Sequence, residues 1–160
     1  MNVFVLDLDT EKAAQYHNNR HLVKMILESA QILSTAVQLN QPNEELYKIA
    51  YPKHPVVIKA TQNRSNFIWV ANLAKELCRE YTFRAGKIHK SLPVINKASL
   101  YSSIIPFGEL EFAQAMPEEF KDKDPVVAYR TYYILAKDRD KNGKRMDEWF
   151  PREKPNWYYG

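Results

Sequence analysis

The chain has 160 residues, of which 45% are hydrophobic and 26% charged, with a net charge of +4 at pH 7. These values are typical of one globular domain and exclude a disordered or fibrous chain. The single cysteine, Cys78, excludes a disulfide framework and a cysteine-ligated metal cluster. No apolar run is long enough to span a membrane, and no N-terminal targeting signal stands out. We expect a single domain over residues 1–160. We also expect a cytoplasmic location, which would be the host cytoplasm if the protein were viral.

Apolar periodicity and capping residues predict an all-α fold with three main helices, long irregular connections and an aromatic C-terminal tail. Residues 2–8 are typical of a short strand or an extended arm. Thr10 is a suitable N-cap for a short helix that begins at Glu11, and Asn18 and Asn19 predict a break after it.

The three main helices are predicted from about Arg20 to Gln38, from Ser65 to about Arg84, and from about Asp124 to Lys137. Gly86 is the expected C-cap of the second, and Pro125 the expected first helical residue of the third. Residues 40–55 are predicted to form a loop or a short helix, residues 92–119 an irregular connection, and the residues from Asn142 an ordered tail. The predicted buried face of the first main helix consists of Leu22, Met25, Ile26, Ser29, Leu33 and Val37.

One helix carries a polar stripe of His17, His21, Lys24 and Glu28, spaced 4, 3 and 4 residues apart. On a continuous helix these side chains lie within about 60° of one another. A solvated helix face with a Lys24–Glu28 ion pair would account for the stripe without any chemistry. Two histidines on one face also suggest a metal-dependent hydrolase, if His54 or His89 supplied a third ligand.

The middle of the chain is basic, because residues 59–97 contain eight Lys or Arg and two Glu. Such a surface suits phosphate binding, although a solvated helix surface is an equally good explanation. Aromatic residues follow at Tyr129, Tyr132 and Tyr133 and again in the tail at Trp149, Trp157, Tyr158 and Tyr159. Aromatic rings of this kind either stack on an unstacked base or pack in the core, and core packing is favoured for the three helix tyrosines.

Three parts of the chain together resemble the small phage-type pyrimidine-dimer DNA glycosylases, the endonuclease V class of ultraviolet-repair enzymes. They are His21 seven residues before Glu28, the segment Pro117–Lys121 before the third main helix, and the ending Lys154-Pro155-Asn156-Trp157-Tyr158-Tyr159-Gly160. The resemblance implies a helical enzyme that binds damaged duplex DNA, cuts the glycosidic bond of a damaged or modified pyrimidine and breaks the backbone at the abasic site. It implies no metal or other cofactor, no membrane and no obligate protein partner.

The resemblance also assigns roles to residues. Glu28 is the carboxylate that supports the oxocarbenium-like transition state, and the N-terminal α-amine is the nucleophile. Because Asn2 is large for efficient removal of Met1, the nucleophile is the amine of Met1, the amine of Asn2 or Lys24, unless the lyase step is absent. His21 is expected to orient groups in the site or to contact DNA. The expected DNA contacts are Arg20, Arg64, Arg84, Lys87, Lys90, Trp157 and Tyr158. The alternative function is a non-catalytic nucleic-acid-binding module.

Overall fold

The structure is a computed structural model that describes residues 1–159. It contains six α-helices: α1 (Thr10–Tyr16), α2 (Asn19–Asn40), α3 (Pro55–Gln62), α4 (Arg64–Ala85), α5 (Leu92–Ser99) and α6 (Pro125–Ala136). Single 3₁₀ turns lie at Ser102–Ile104 and Glu118–Phe120, and residues 1–159 contain no β-strand. The predicted all-α fold is therefore confirmed. None of these helices is both long enough and apolar enough to cross a membrane.

Side-chain caps decide where the first two helices begin. The Asp9 carboxylate accepts the Lys12 backbone N–H at 3.0 Å, so Asp9 is the N-cap of α1. The expectation that Thr10 caps this helix is wrong by one residue. The Asn18 side chain accepts the His21 N–H at 2.8 Å and caps α2, which confirms the predicted break and excludes His17 from α2.

Two short helices were not predicted. Helices α3 and α5 have eight residues each, and each has a proline in its first two positions. A proline costs nothing there, because the first N–H groups of a helix have no partner within the helix. The prolines of these segments indicated breaks in the sequence, whereas in the structure they begin helices. The second long helix and α6 agree with prediction, with Gly86 in a left-handed conformation (φ 67°) after α4 and Asp124 as the N-cap of α6.

Helices α2 and α4 form the centre of the core, and α1, α3 and α5 pack on one or both of them. The six residues predicted for the buried face of α2 are all buried. On α4, 41% of the Ile68 surface is exposed, although its neighbours Phe67 and Trp69 are buried. Tyr129 and Tyr133 of α6 are fully buried, as expected for core residues.

The C-terminal tail is ordered and closes the core. The Trp149 indole N–H donates to the Tyr16 carbonyl at 2.8 Å, and its ring packs on Tyr158 with 4.9 Å between centroids. Both aromatic residues are buried. The tail therefore holds the junction between α1 and α2 in place.

Candidate active site

The N-terminal arm is buried and reaches α2. Val3, Phe4, Val5 and Leu6 are between 0% and 5% exposed. The Arg130 guanidinium of α6 donates to the Leu6 carbonyl at 2.8 Å. Four successive buried apolar residues gain enough free energy from burial, about 1.5–3 kcal/mol each, to hold the arm against the core. The arm therefore fixes the position of the residues that precede it.

The Asn2 side chain fixes the first two residues more closely. Its amide group donates to the Ala115 carbonyl at 2.8 Å, and its oxygen accepts the Val3 N–H at 2.8 Å. The Tyr129 hydroxyl lies 3.3 Å from the same oxygen. These contacts direct the Asn2 backbone N–H toward α2, where it donates to Glu28 Oε2 at 3.0 Å.

Three nitrogen atoms lie close to the Glu28 carboxylate. Besides the Asn2 N–H, the Met1 α-amine and Lys24 Nζ each lie 3.8 Å from Oε1. The Met1 side chain is 2% exposed and that of Glu28 is 12% exposed, whereas that of Lys24 is 67% exposed. The structure therefore brings together Glu28, Lys24 and Asn2 from the predicted set, with the Met1 side chain buried and the Lys24 side chain exposed. A carboxylate against an amine in a dry setting suits electrostatic support of a developing cation.

His54 is a further residue of this site. It is the N-cap of α3, and its Nδ1 accepts the Val56 N–H at 3.2 Å. In the neutral ring Nε2 then carries the proton, and the imidazole lies near the Met1 backbone. Burial first, and then the positive charge of the N-terminal amine, lower the pKa of His54 from its usual value of 6.5. The sequence named His54 only as a possible metal ligand, since nothing in its spacing relates it to Met1.

Tyr51 lies one turn before His54 and has a left-handed backbone with φ 49°. Its carbonyl accepts the His54 N–H at 2.9 Å, and its side chain is 64% exposed. A non-glycine residue in this conformation is strained, and such strain is common at functional sites. The loop therefore presents an exposed aromatic ring beside the site.

His21 and His17 belong to the core behind the site. The His21 ring lies between Phe4 and Tyr133, at 5.3 and 4.9 Å between centroids, and its Nδ1 accepts from the Asn18 amide at 3.1 Å. Burial first, and then the charge of nearby cations and His17, lower the pKa of His21 to about 3. His21 is 6% exposed, so it supports the arm through Phe4.

His17 is fully buried, and its Nδ1 donates to the Ala13 carbonyl at 2.6 Å. Burial lowers the pKa of His17 to about 4. Across residues 1–159 no three His, Cys, Asp or Glu side chains come together in a way that would hold a metal ion. The metal-dependent hydrolase therefore has no ligand set in the described part of the chain.

Two of the predicted DNA contacts are instead structural. Arg84 is 4% exposed and donates to Glu80, to the carbonyls of Gln15 and His17, and to the Asn19 side chain. Its guanidinium therefore joins α4 to the junction between α1 and α2, and four of its five N–H donors are used within the protein. Arg64 donates to the carbonyls of Ile105 and Ser103 at 3.0 and 2.9 Å and holds the segment after α5.

The remaining predicted DNA contacts divide into exposed cations and packed aromatics. Lys87 and Lys90 are exposed, and Arg20 is 53% exposed but pairs with Asp140 at 2.6 Å. Trp157 packs edge-on against Tyr16 and Tyr133 and beneath the Arg130 guanidinium, and Tyr158 is 5% exposed. Tyr158 is therefore packed in the core and Trp157 is partly buried, and base stacking by these two tail residues stays a prediction.

Comparison with known proteins identifies a family for this chain. The model of the pyrimidine dimer DNA glycosylase family matches residues 1–94, which include the arm, Glu28 and His54. Neither a curated protein nor a solved structure shows significant similarity to the chain. The match covers more than half of the chain and stops before α6 and the tail. The chain therefore belongs to the pyrimidine dimer DNA glycosylase family.

Proposed function

We propose that this DNA-repair glycosylase cleaves damaged pyrimidines from duplex DNA and then breaks the strand at the abasic site, with an N-terminal α-amine as its nucleophile. The proposal is supported by the short distances between the N-terminal residues and the Glu28 carboxylate. The Met1 amine and the Asn2 N–H lie 3.8 and 3.0 Å from the two oxygens of one carboxylate, although 26 residues separate Asn2 from Glu28.

In the glycosylase step, the neutral amine attacks C1′ and the bond between C1′ and the base nitrogen breaks. The electron pair leaves with the base, which takes up a proton. Positive charge develops on the sugar, and the Glu28 carboxylate stabilises it electrostatically. After the sugar ring opens and the amine loses a proton, the nitrogen and C1′ are joined as an iminium ion.

In the lyase step, the iminium acidifies the C2′ protons. Loss of one C2′ proton expels the 3′ phosphate as the leaving group and breaks the strand by β-elimination. Water then adds to C1′ and releases the amine. Glu28 is the basic group closest to the amine, at 3.0–3.8 Å from the two terminal nitrogens, so we assign the proton transfer to it.

Both possible terminal amines have a place beside Glu28. With Met1 retained, its amine is the nucleophile at 3.8 Å. With Met1 removed, the Asn2 nitrogen becomes the α-amine, and the Asn2 side-chain contacts keep it 3.0 Å from Oε2. Lys24 is the weaker candidate, because its exposed side chain would have to be desolvated and ordered at each turnover.

Borohydride trapping on ultraviolet-irradiated and abasic duplexes tests the nucleophile. We expect a covalent adduct on the tryptic peptide of residues 1–12, and N-terminal mass analysis identifies whether Met1 or Asn2 carries it. Lys24→Gln should leave the adduct in place. An adduct on the peptide that contains Lys24, or its loss in Lys24→Gln, would contradict the assignment of the α-amine.

Glu28→Gln tests the carboxylate. It keeps the shape of the side chain and removes its charge, so we expect incision to fall by about 100-fold or more while duplex binding is retained. Glu153→Gln, at an exposed position in the tail, is the matched control and should cleave as the wild type does. Duplex binding by the wild type without any cleavage of damaged DNA would instead favour the non-catalytic nucleic-acid-binding module.

A further inference from the structure

Residues 137–145 form a basic hairpin after α6. The segment contains Lys137, Arg139, Lys141, Lys144 and Arg145 against two aspartates. Arg139 and Arg145 form an antiparallel bridge, and Gly143 supplies the left-handed conformation (φ 79°) that the turn requires. This hairpin lies outside the 94 residues that the family model matches.

The two aspartates of the basic hairpin are used within the protein. Asp140 pairs with Arg20 at 2.6 Å and also accepts the backbone N–H groups of Asn142 and Lys144 at 2.9 and 3.0 Å. Asp138 lies 3.8 Å from Arg139. Lys141 and Lys144 are exposed and form no ion pair within residues 1–159. The hairpin therefore presents positive charge outward from a backbone held by internal hydrogen bonds.

The basic hairpin is attached to the start of α2, the helix that carries Glu28. The Asn18 side chain donates to the Met146 carbonyl and the Asn19 N–H donates to the Glu148 carbonyl, both at 2.7 Å. Lys137 lies close enough to His21 for its charge to act on that ring. Since Asn18 is the N-cap of α2 and Asn19 its first residue, the hairpin lies at the N-terminal end of the helix that carries Glu28.

The distance along α2 from Asn19 to Glu28 can be compared with the rise per base pair of a duplex that lies along this helix. Nine residues of helix separate Asn19 from Glu28, or about 14 Å at 1.5 Å per residue. A duplex rises 3.4 Å per base pair, so this distance corresponds to about four base pairs. A duplex with its damaged nucleotide at Glu28 would bring backbone phosphates to the hairpin.

We infer that the basic hairpin is a phosphate-binding anchor that holds duplex DNA about four base pairs from the nucleotide at Glu28. This inference rests on the proposed function for its orientation. Phosphate contacts contribute affinity and register but carry no sequence information. The hairpin should therefore strengthen binding to damaged and undamaged duplexes by the same factor.

The test is duplex binding as a function of salt for Lys141→Gln/Lys144→Gln. Loss of two phosphate contacts should weaken binding on the order of 10-fold and lower the slope of log K against log salt by about 1.8. Lys12→Gln/Lys75→Gln, on α1 and α4, is the matched control because it removes the same charge from helices that do not carry the stripe. We expect the control to bind nearly as the wild type does.

Equal weakening by the two double variants would show that only net charge matters and would overturn the inference. A loss confined to damaged duplexes would overturn it as well. Thermal unfolding of each variant checks that the substitutions leave the fold intact. Binding to undamaged duplex does not depend on catalysis, so a wild type that binds through the hairpin but fails to cleave would refute the proposed function alone.

Discussion

The two buried histidines should make the stability of this protein fall steeply in mild acid. His17 and His21 are 0% and 6% exposed, and burial lowers their pKa values to about 4 and about 3. In the unfolded chain each pKa returns to about 6.5, so below that pH the unfolded state binds more protons than the folded state. Their neutral burial therefore has no cost above pH 6.5, and stability is lost progressively as pH falls toward 4 and 3.

The size of the effect follows from the distance between pH and the unfolded pKa. At pH 5 each unfolded histidine is about 1.5 units below its pKa and protonated, whereas each folded histidine is still neutral. At about 1.36 kcal/mol per unit, each residue contributes a loss of about 2 kcal/mol, and the two together about 4 kcal/mol. A typical domain has 5–15 kcal/mol of stability, so this loss is a large fraction of it.

Urea unfolding followed by circular dichroism at pH 8, 7, 6 and 5 measures this loss from the midpoint and slope. The pH range stays above that in which carboxylates begin to titrate. His21→Gln should lower stability at pH 8 but reduce the fall between pH 8 and pH 5 by about 2 kcal/mol. His89→Gln, at a partly exposed position, is the control and should reduce that fall much less. An unchanged fall in His21→Gln would refute the assignment of a buried neutral ring.

Three further changes test other parts of the structure. Arg84→Gln should lower the free energy of unfolding by about 3 kcal/mol, because the buried Glu80 carboxylate then keeps only one of its two cations. Denaturant unfolding measures this loss, and a variant as stable as the wild type would contradict the prediction. His54→Gln should lower the rate of borohydride trapping about 10-fold and shift its pH profile, because the imidazole lies near the Met1 backbone; an unchanged rate and profile would remove His54 from the site. Tyr51→Ala should weaken binding to damaged duplex by about 1–3 kcal/mol through lost stacking on a base, whereas Tyr159→Ala, at an even more exposed position, should have no effect.

Much of the helical framework could be predicted because helices are local structures. The break at Asn18, the buried face of α2, Gly86 after α4 and Asp124 before α6 each depend on hydrogen bonds or spacing within a few residues. Helices α3 and α5 were missed because, at eight residues each, they depend on packing rather than on propensity.

Within the polar stripe, the sequence determined which residue types share one helix face. It did not determine which of these residues are exposed to solvent, buried in the core or in contact with the N-terminus. Glu28 is in the site because a buried arm brings Met1 and Asn2 to it across 26 residues of chain. His17 and His21, predicted on the polar stripe, are buried in the core. Arg84, predicted to contact DNA, instead holds the junction of α1 and α2. The sequence by itself thus determined α1, α2, α4 and α6 and the candidate carboxylate. Only the tertiary structure decided the partners, because burial and long-range contacts are properties of the packed chain and not of local spacing.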